Sequence, residues 1–211
     1  MNRIWSKNVT NSIQEACKRI IHIAQLTYNQ GFSRTGGNFS IRIDDRMIIT
    51  PRGSAADYAG SIPKKSLCLL KLNGQIIRGN NPSIETEVHL ALYKNDKSHF
   101  GIIHAHPPFT LAFSTNPQYL YPITQSARKF NLIICKHNPE SGQKLVEAVE
   151  VVLKKETTFS DVYGLCIFVP RHGVFIASKN IERAFYYLNK VEENSHILLL
   201  ENILSVQSKI Y

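Results

Sequence analysis

The sequence has no long hydrophobic run and no closely spaced cysteine pair. Its 211 residues include four cysteines, at positions 17, 68, 135 and 166, without any Cys-x-x-Cys motif. Each lies in an apolar stretch, so we expect buried free thiols and no disulfide. The longest apolar runs, such as 197–200, are far shorter than the roughly 18 to 20 residues of a membrane span, and the N-terminus lacks the apolar segment of a signal peptide. The sequence therefore predicts a cytoplasmic protein with no membrane partner.

Acidic residues are few compared with basic ones. The chain has 16 Asp and Glu against 25 Lys and Arg, which gives a net charge of +9. This charge suits nucleic acid, an anionic surface or a negatively charged small substrate. The basic residues are dispersed, with only pairs such as Lys64-Lys65 and Lys154-Lys155, and no nucleic-acid-binding motif is recognisable. We therefore expect no nucleic-acid partner, whereas a phosphorylated small molecule remains compatible with the charge.

Helical and strand periodicities alternate along the chain. Apolar residues at helical spacing predict helices over 11–28, 83–95, 108–114, 141–155 and 180–205. Apolar runs and period-two alternation predict strands over 39–43, 47–50, 67–72, 75–78, 100–106, 132–135, 165–169 and 174–177. Asn73-Gly74 is a strong hairpin signal between two of them. With no repeat or linker, we expect a single domain over 1–211, of the α/β class, in which helices cover a mixed sheet.

One of these strands leads into a His-x-His pair. His104 and His106 end the apolar run that starts at Phe100, and two prolines follow. Residues i and i+2 of a strand project from the same face, roughly 7 Å apart, so both imidazoles could point at one metal ion while Ala105 points away. A catalytic zinc site needs three protein ligands and one open position. The alternative is two separate strand-end histidines, each hydrogen-bonded and neither functional.

A third ligand has to come from elsewhere in the chain. Six other histidines are available, at positions 22, 89, 99, 137, 172 and 196. His172 occupies a turn between two predicted strands and precedes Gly173. It is either a site residue at the end of the sheet or an ordinary turn histidine. His89 lies four residues after Glu85, so the two could share one helix face, although this spacing is common by chance.

Six short motifs resemble, in their order, those of the class II aldolase/adducin family. They cover nearly the whole chain at intervals similar to the family's, and each is weak alone. The motifs are Asn29-Gln30-Gly31, Gly37-Asn38-Phe39-Ser40-Ile41-Arg42, Ile49-Thr50-Pro51-Arg52-Gly53, Pro82-Ser83-Ile84-Glu85, His104-Ala105-His106 and His172-Gly173.

This resemblance implies a fold, an assembly and a metal. The fold is a three-layer α/β/α sandwich with a central, mostly antiparallel sheet, and the assembly is a homotetramer. One Zn²⁺ per chain, or another divalent metal, is held by the residues matching His104, His106 and His172. The carboxylate matching Glu85 is a further ligand in the resting state and the general acid/base during turnover. The positions that hold the substrate phosphate in the family match Asn38, Arg52, Gly53 and Ser83.

The implied reaction is the cleavage of a small sugar phosphate to dihydroxyacetone phosphate and an aldehyde. A divalent metal can stabilise the enediolate that forms when the carbon–carbon bond breaks, and a nearby carboxylate can move the proton. Glu85 and Ser83 lie at a predicted helix start, where free N–H groups favour an anion.

The sequence also departs from the aldolase pattern. Ile84 stands where the family motif has a second serine, and Arg52 stands where a small polar residue is frequent. An arginine could replace the lost contact by a charge-assisted hydrogen bond or could indicate a different substrate. The family aldolases also take a tyrosine proton donor from the neighbouring subunit. Tyr119, Tyr121 and the terminal Tyr211 are candidates, none of which can be aligned.

Other functions stay open at this point. The same metal site serves a methylthioribulose-1-phosphate dehydratase-like or a pentulose-phosphate 4-epimerase-like enzyme, and Glu85 favours the first of these over the second. A non-catalytic adducin-like domain tends to lose metal ligands, whereas all three histidines are present here. A cupin-type metal site would need a glutamate near Thr110 or Leu111, and none is there.

Overall fold

Helices and strands alternate in the structure, a computed structural model that describes residues 7–125, 131–136, 142–155 and 164–207. The helices are α1 (Lys7–Asn29), α2 (Ser54–Tyr58), α3 (Thr86–Asn95), α4 (Pro108–Ala112), α5 (Gln143–Lys155) and α6 (Ile181–Gln207). The strands are β1 (Asn38–Ile43), β2 (Arg46–Ile49), β3 (Cys68–Lys71), β4 (Ile76–Arg78), β5 (Gly101–Ala105), β6 (Asn131–Ile134), β7 (Leu165–Val169) and β8 (Gly173–Ser178). None of the helices in these ranges has both the length and the apolar character that a bilayer crossing requires.

The eight strands form one sheet in the order β4-β3-β2-β1-β5-β8-β7-β6. Every neighbouring pair is antiparallel except β6 and β7, which run parallel. The hairpin predicted around Asn73-Gly74 is confirmed as β3–β4, and β1 and β2 form a second hairpin. In the centre of the sheet, His104 of β5 pairs with Asn38 of β1 on one side and with Phe175 of β8 on the other. This register brings three distant segments to one point.

Helices cover both faces of the sheet, because successive strand residues point to opposite sides. On one face, Ile20 of α1 and Leu188 of α6 pack in a cluster with Ile103 of β5. On the other face, Val88 of α3 packs in a second cluster with Ile102 of β5, together with residues of α5. The predicted three-layer α/β/α sandwich with a mostly antiparallel sheet is confirmed.

The four cysteines are divided equally between the two cores. Cys17 and Cys166 belong to the cluster under α1 and α6, whereas Cys68 and Cys135 belong to the cluster under α3 and α5. All four are free and buried, as the sequence predicts. Burial raises the pKa of Cys135 to about 11 and that of Cys166 to about 12, so these thiols stay protonated at neutral pH.

Two departures from the predicted elements lie at the cavity side of the sheet, near Glu85 and Gly53. The helix predicted from Ser83 begins three residues later, at Thr86, because residues 83–86 form a turn in which the Thr86 hydroxyl donates to the Ser83 carbonyl (2.6 Å). Glu85 is therefore the N-cap residue of α3. The short helix α2 was not predicted, and it follows Gly53, whose φ of 73° suits glycine.

Candidate active site

Three histidine side chains converge at the centre of the sheet. His104 lies near the end of β5, His106 follows directly after the strand, and His172 lies in the turn between β7 and β8. The Nε2 atoms of His104 and His106 are 3.0 Å apart. One ligand nitrogen from each of the three imidazoles lies within 4.8 Å of the others. The structure thus brings together the three histidines that the sequence predicts as metal ligands.

Glycine backbone at two positions makes room for these rings. Gly173 lies so close to β5 that a Cβ atom there would be 2.4 Å from the Ala105 carbonyl oxygen and 2.7 Å from Cδ2 of His106. Gly37, with φ 125°, leaves no space for a Cβ either, since it would lie 2.7 Å from the His104 carbonyl oxygen. Contacts under 3 Å of this kind require the backbone to move, so the histidine cluster depends on both glycines.

Glu85 provides a buried carboxylate beside the imidazoles. Its Oε1 lies 2.8 Å from Nε2 of His172, and its Oε2 lies 3.4 Å from Nε2 of His104 and accepts a hydrogen bond from the Asn38 amide. Burial opposes ionisation, but the nearby imidazoles and the hydrogen bonds from His172 and Asn38 outweigh it. The pKa of Glu85 is lowered to about 2, and the group is a carboxylate at neutral pH.

The ring of His104 presents an unprotonated nitrogen to the cluster. Its Nδ1 donates to the Val174 carbonyl (2.9 Å), and the ring stacks on Phe175 with centroids 4.2 Å apart. Burial lowers the pKa of His104 to about 3, so the ring is neutral and Nε2 carries a lone pair. Burial also lowers the pKa of His106, whose Nδ1 lies 3.2 Å from the Thr35 hydroxyl.

This donor set fits a divalent metal. Neutral imidazoles whose Nε2 atoms face each other at 3.0 Å repel unless a cation or a proton lies between them. A cation could also replace the proton that His172 shares with Glu85 (2.8 Å). Three histidines with a carboxylate nearby are a zinc-type set, and the hydrogen bond from Nδ1 of His104 to a carbonyl orients the ring as ligating histidines usually require.

The cluster forms the floor of a cavity of about 500 Å³. All the residues predicted to hold a phosphate line it, namely Asn38, Arg52, Gly53 and Ser83. The Asn38 side chain is already engaged, because its Nδ2 donates to Glu85 while its Oδ1 lies 2.6 Å from Nε2 of His89. One hydrogen of the Asn38 NH₂ group remains for another acceptor.

The sequence did not single out two further residues of the cavity wall, Ser54 and Arg171. Arg171 directly precedes His172 and has a φ of 62°, a left-handed conformation rare for arginine. Its backbone N–H donates to the Ser114 hydroxyl (2.8 Å), which supports this conformation. Adjacency to a predicted ligand was the available signal for Arg171, as adjacency to Gly53 was for Ser54.

Two of the three tyrosine candidates do not line this cavity. Tyr119 and Tyr121 are half exposed on the surface (57% and 50%) and are not among the cavity residues. Tyr211 lies outside the described residues. His89 is fully buried and faces Asn38, so it does not belong to the three-histidine cluster. A subunit-bridging tyrosine therefore stays a prediction of the sequence.

Comparison with known proteins agrees with this geometry. Residues 18–199 match the family model described as "Class II Aldolase and Adducin N-terminal domain", and the chain belongs to that family. The "L-fuculose phosphate aldolase" of Methanococcus vannielii is 32% identical over 179 residues, which cover 83% of this chain and 91% of the relative. The "3-oxo-tetronate 4-phosphate decarboxylase" of Haemophilus influenzae is 33% identical over 97 residues, 45% of each chain.

The fold is shared with solved aldolase structures. The L-fuculose-1-phosphate aldolase of Thermus thermophilus superposes with a TM-score of 0.71 at 20% identity, covering 90% of this chain and 95% of that protein. Relatives with aldolase and decarboxylase activities both carry out lyase reactions. The family assignment and the histidine cluster together make this chain a class II aldolase family protein with a potential metal site.

Proposed function

We propose that the protein is a zinc-dependent class II aldolase that cleaves a small sugar phosphate to dihydroxyacetone phosphate and an aldehyde. One observation carries this proposal: the Glu85 carboxylate lies 2.8 Å from His172 and 3.4 Å from His104 on the floor of a cavity that Arg52 also lines. A metal site, a base and a cation for a phosphate are thus within reach of one small molecule.

Each residue then has a specific role. Zinc held by His104, His106 and His172, with Glu85 as a further ligand in the resting state, would act as a Lewis acid toward the substrate carbonyl. Glu85 is ionised at neutral pH and accepts the hydroxyl proton as the carbon–carbon bond breaks and the aldehyde leaves. The same proton can then return to the carbon of the remaining three-carbon fragment. This step yields dihydroxyacetone phosphate and restores the ionised Glu85.

The phosphate end of the substrate would lie toward Arg52. Its guanidinium can form charge-assisted hydrogen bonds to phosphate oxygens, while the Ser83 hydroxyl and the backbone at Gly53 provide neutral contacts. The Asn38 amide can contribute its remaining N–H. Ile84 is 54% exposed and offers no hydroxyl, so Arg52 has the larger share of anion binding in this chain.

We predict about one zinc per purified chain, because three neutral imidazoles and a carboxylate match its preferences. Substituting alanine at His104, His106 or His172 should reduce the zinc content sharply, as measured by elemental analysis of the dialysed protein. His22→Ala is the matched control, since His22 lies on α1 away from the cluster. Full zinc in all three site variants would refute the metal assignment.

Glu85→Gln tests the reaction itself. The variant should keep the fold and the zinc but lose at least 100-fold in kcat, since general acid–base groups typically contribute about that much or more. The assay screens dihydroxyacetone phosphate with a panel of aldehydes and, in the other direction, a panel of ketose phosphates that includes pentulose phosphates, with and without chelator. Unchanged turnover by Glu85→Gln would remove this residue from the mechanism.

Decarboxylation of a 3-oxo acid phosphate is a second candidate, supported by Arg171. This residue lines the cavity beside His172 and its guanidinium could bind a substrate carboxylate, and a relative named for that activity shares 33% identity over 97 residues. Including 3-oxo-tetronate 4-phosphate in the screen and measuring released carbon dioxide separates the two reactions. Dehydration and 4-epimerisation are tested in the same screen, while the homotetramer and the cytoplasmic location stay predictions of the sequence.

A further inference from the structure

A chain of buried polar side chains extends from Glu85 into the protein, away from the cavity. Asn38 donates to Glu85 through Nδ2, and Nε2 of His89 lies 2.6 Å from Oδ1 of Asn38. The Ser40 hydroxyl lies 2.7 Å from Nδ1 of His89 and 2.8 Å from the Tyr93 hydroxyl. All five residues are buried, and His89 and Ser40 are 0% exposed. Water has no access to the middle of this chain.

The hydrogen bonds in this chain can run in only one direction. An ionised carboxylate only accepts, so the Asn38 NH₂ group must face Glu85 and its carbonyl oxygen must face His89. That oxygen also only accepts, so the hydrogen of a neutral His89 must be on Nε2. Its Nδ1 is then bare and accepts from the Ser40 hydroxyl, whose oxygen in turn accepts from Tyr93.

Burial supports the neutral state of His89 in this arrangement. It lowers the pKa of His89 to about 4, only partly offset by the charge of Glu85. The groups that face the ring are Asn38, Ser40 and, edge-on at 6.2 Å, Phe175. None of these is ionisable. The ring therefore has one tautomer and two fixed partners.

We infer that His89 is a positioning residue for the reacting carboxylate. Its Nε2–H binds the Asn38 amide oxygen and holds the amide in the orientation that the carboxylate requires, and the amide holds Oε2 of Glu85 in place beside His104. This role rests on the function proposed above for Glu85. Without the His89 donor, the Asn38 oxygen loses its buried partner, so the side chain is free to shift and Oε2 of Glu85 loses its fixed position. Ser40 and Tyr93 act through His89 by fixing its tautomer.

The tautomer of His89 can be measured independently of turnover. In the zinc-loaded protein labelled with ¹⁵N-histidine, we expect a long-range ¹H–¹⁵N spectrum to show His89 protonated at Nε2 and bare at Nδ1 at pH 7. The resonances are assigned by their disappearance in His89→Gln. An Nδ1–H tautomer or a charged imidazolium at this pH would overturn the inference, because the Asn38 amide could then not be oriented as described.

Turnover of two variants tests the positioning itself. His89→Leu removes the donor and should lower kcat at least tenfold with little change in KM and in zinc content. In His89→Gln the side-chain amide nitrogen lies near the position of Nε2 and can donate to Asn38, so most of the activity should return. His99→Leu is the control, since it removes another buried imidazole, one that lies beside Asp96 and away from the site. A His89→Leu variant with wild-type kcat would refute the role.

Two further measurements make the outcome independent of the proposed reaction and of folding. A crystal structure of His89→Leu should show a displaced Asn38 side chain and a displaced Glu85, and an unchanged pair would overturn the inference. If His89→Leu does not fold, Ser40→Ala keeps the imidazole and removes only its hydroxyl donor. The His89 tautomer should then become mixed, and a tautomer that stays unchanged would refute the direction of the chain. Absence of aldolase activity in the wild type would refute the proposed function and leave these structural readouts valid.

Discussion

At the scale of single residues, burial determines the protonation states on which the site depends. His104 and His89 stay neutral because the protein around them disfavours charge, whereas hydrogen bonds and imidazoles keep Glu85 ionised despite burial. The three groups differ in their chemistry. All of them nevertheless bind fewer protons in the folded chain than in the unfolded chain as the pH falls.

The stability of the metal-free protein should therefore decrease as the pH falls from 7 to 4. His89 titrates near 6.5 when unfolded and at about 4 when folded, so its contribution is lost across that interval. Glu85, at 4.5 unfolded and about 2 folded, adds its loss below pH 4.5. Each group contributes a slope of up to about 1.4 kcal/mol per pH unit. Urea unfolding followed by circular dichroism at pH 7, 6, 5 and 4.5 in the presence of chelator measures this dependence.

The variant His89→Gln provides the comparison for this pH series. Glutamine does not titrate, so the unfolding free energy of the variant should vary less steeply than that of the wild type between pH 6.5 and pH 4. If the unfolding free energies of the wild type and the variant changed in parallel with pH, His89 would not be the source of the pH dependence of stability.

Residue identities in the site were predictable to different extents. The pairing of His104 with His106 follows from the two-residue period of a strand, whereas the position of His172 required the family resemblance. The double engagement of Asn38 by Glu85 and His89 could not be predicted, because it depends on side-chain directions across three separate elements. An i, i+4 spacing between Glu85 and His89 placed both on one helix, yet the helix starts only after Glu85.

At the scale of elements, the turn between β7 and β8 holds His172 against β5. Gly173 pairs with Val169 across this turn, and its backbone contacts the carbonyl of Ala105 so closely that no side chain fits. The close approach positions His172 next to His104, with ring centroids 4.9 Å apart. A change at Gly173 should therefore affect metal binding although the residue has no ligand atom.

Gly173→Ala should lose most of its zinc. A methyl group there would meet Cδ2 of His106 at 2.7 Å as well as the Ala105 carbonyl, so the turn has to move away from β5. Gly142→Ala is the control, because Gly142 also has a positive φ (71°) but no atom of the described residues lies within 4 Å of the added Cβ. It should cost only the roughly 1 to 2 kcal/mol of a left-handed alanine and keep the metal. Zinc content and thermal unfolding measure both effects, and equal zinc in the two variants would contradict this explanation.

Helix and strand boundaries show where local sequence patterns were insufficient. The strands β1, β2, β3 and β4 follow from alternation and from turn residues, which act locally. The start of α3 moved to Thr86 because a hydrogen bond from the Thr86 hydroxyl closes a turn before the helix. The parallel pairing of β6 with β7 is a long-range property that no local pattern contains.

At the scale of the whole molecule, the net charge of +9 favours the approach of anions, such as the phosphorylated substrate proposed above. The described cavity adds local positive charge through Arg52 and Arg171. Charges of this kind accelerate encounter with anions, and salt screens them over a Debye length of about 30 Å at 10 mM and about 10 Å at 100 mM ionic strength. The overall charge and the two cavity arginines contribute separately to the binding of an anionic substrate, so variants can distinguish them.

The kcat/KM for the best phosphorylated substrate should fall several-fold between 10 mM and 300 mM salt, because screening weakens the attraction. Arg52→Gln should raise KM about tenfold if its guanidinium contacts the phosphate. Lys65→Gln removes the same unit of charge from an exposed position outside the cavity, so its KM should stay near the wild-type value. Steady-state kinetics measure both KM values. Equal KM values in the two variants would show that Arg52 does not contact the phosphate and acts only through its charge.

The three-layer fold as a whole was predictable through the family resemblance, because motifs spread along the chain fix the order of its elements. The homotetramer follows from the same resemblance and stays a prediction, because an assembly depends on surface contacts with a neighbouring chain. Tyr119 and Tyr121 are exposed, and a proton donated by either one to a neighbouring subunit stays a prediction as well.

The division of the four cysteines between two cores has a practical consequence for following the opening of each layer. Their thiols are 0 to 3% exposed, so a thiol-specific reagent reacts only when the surrounding layer opens. Reaction at Cys17 and Cys166 reports loss of the α1–α6 layer, and reaction at Cys68 and Cys135 reports loss of the α3–α5 layer. The native sequence thus carries a pair of chemical probes in each half of the sandwich, and the order in which they are modified distinguishes stepwise from concerted opening.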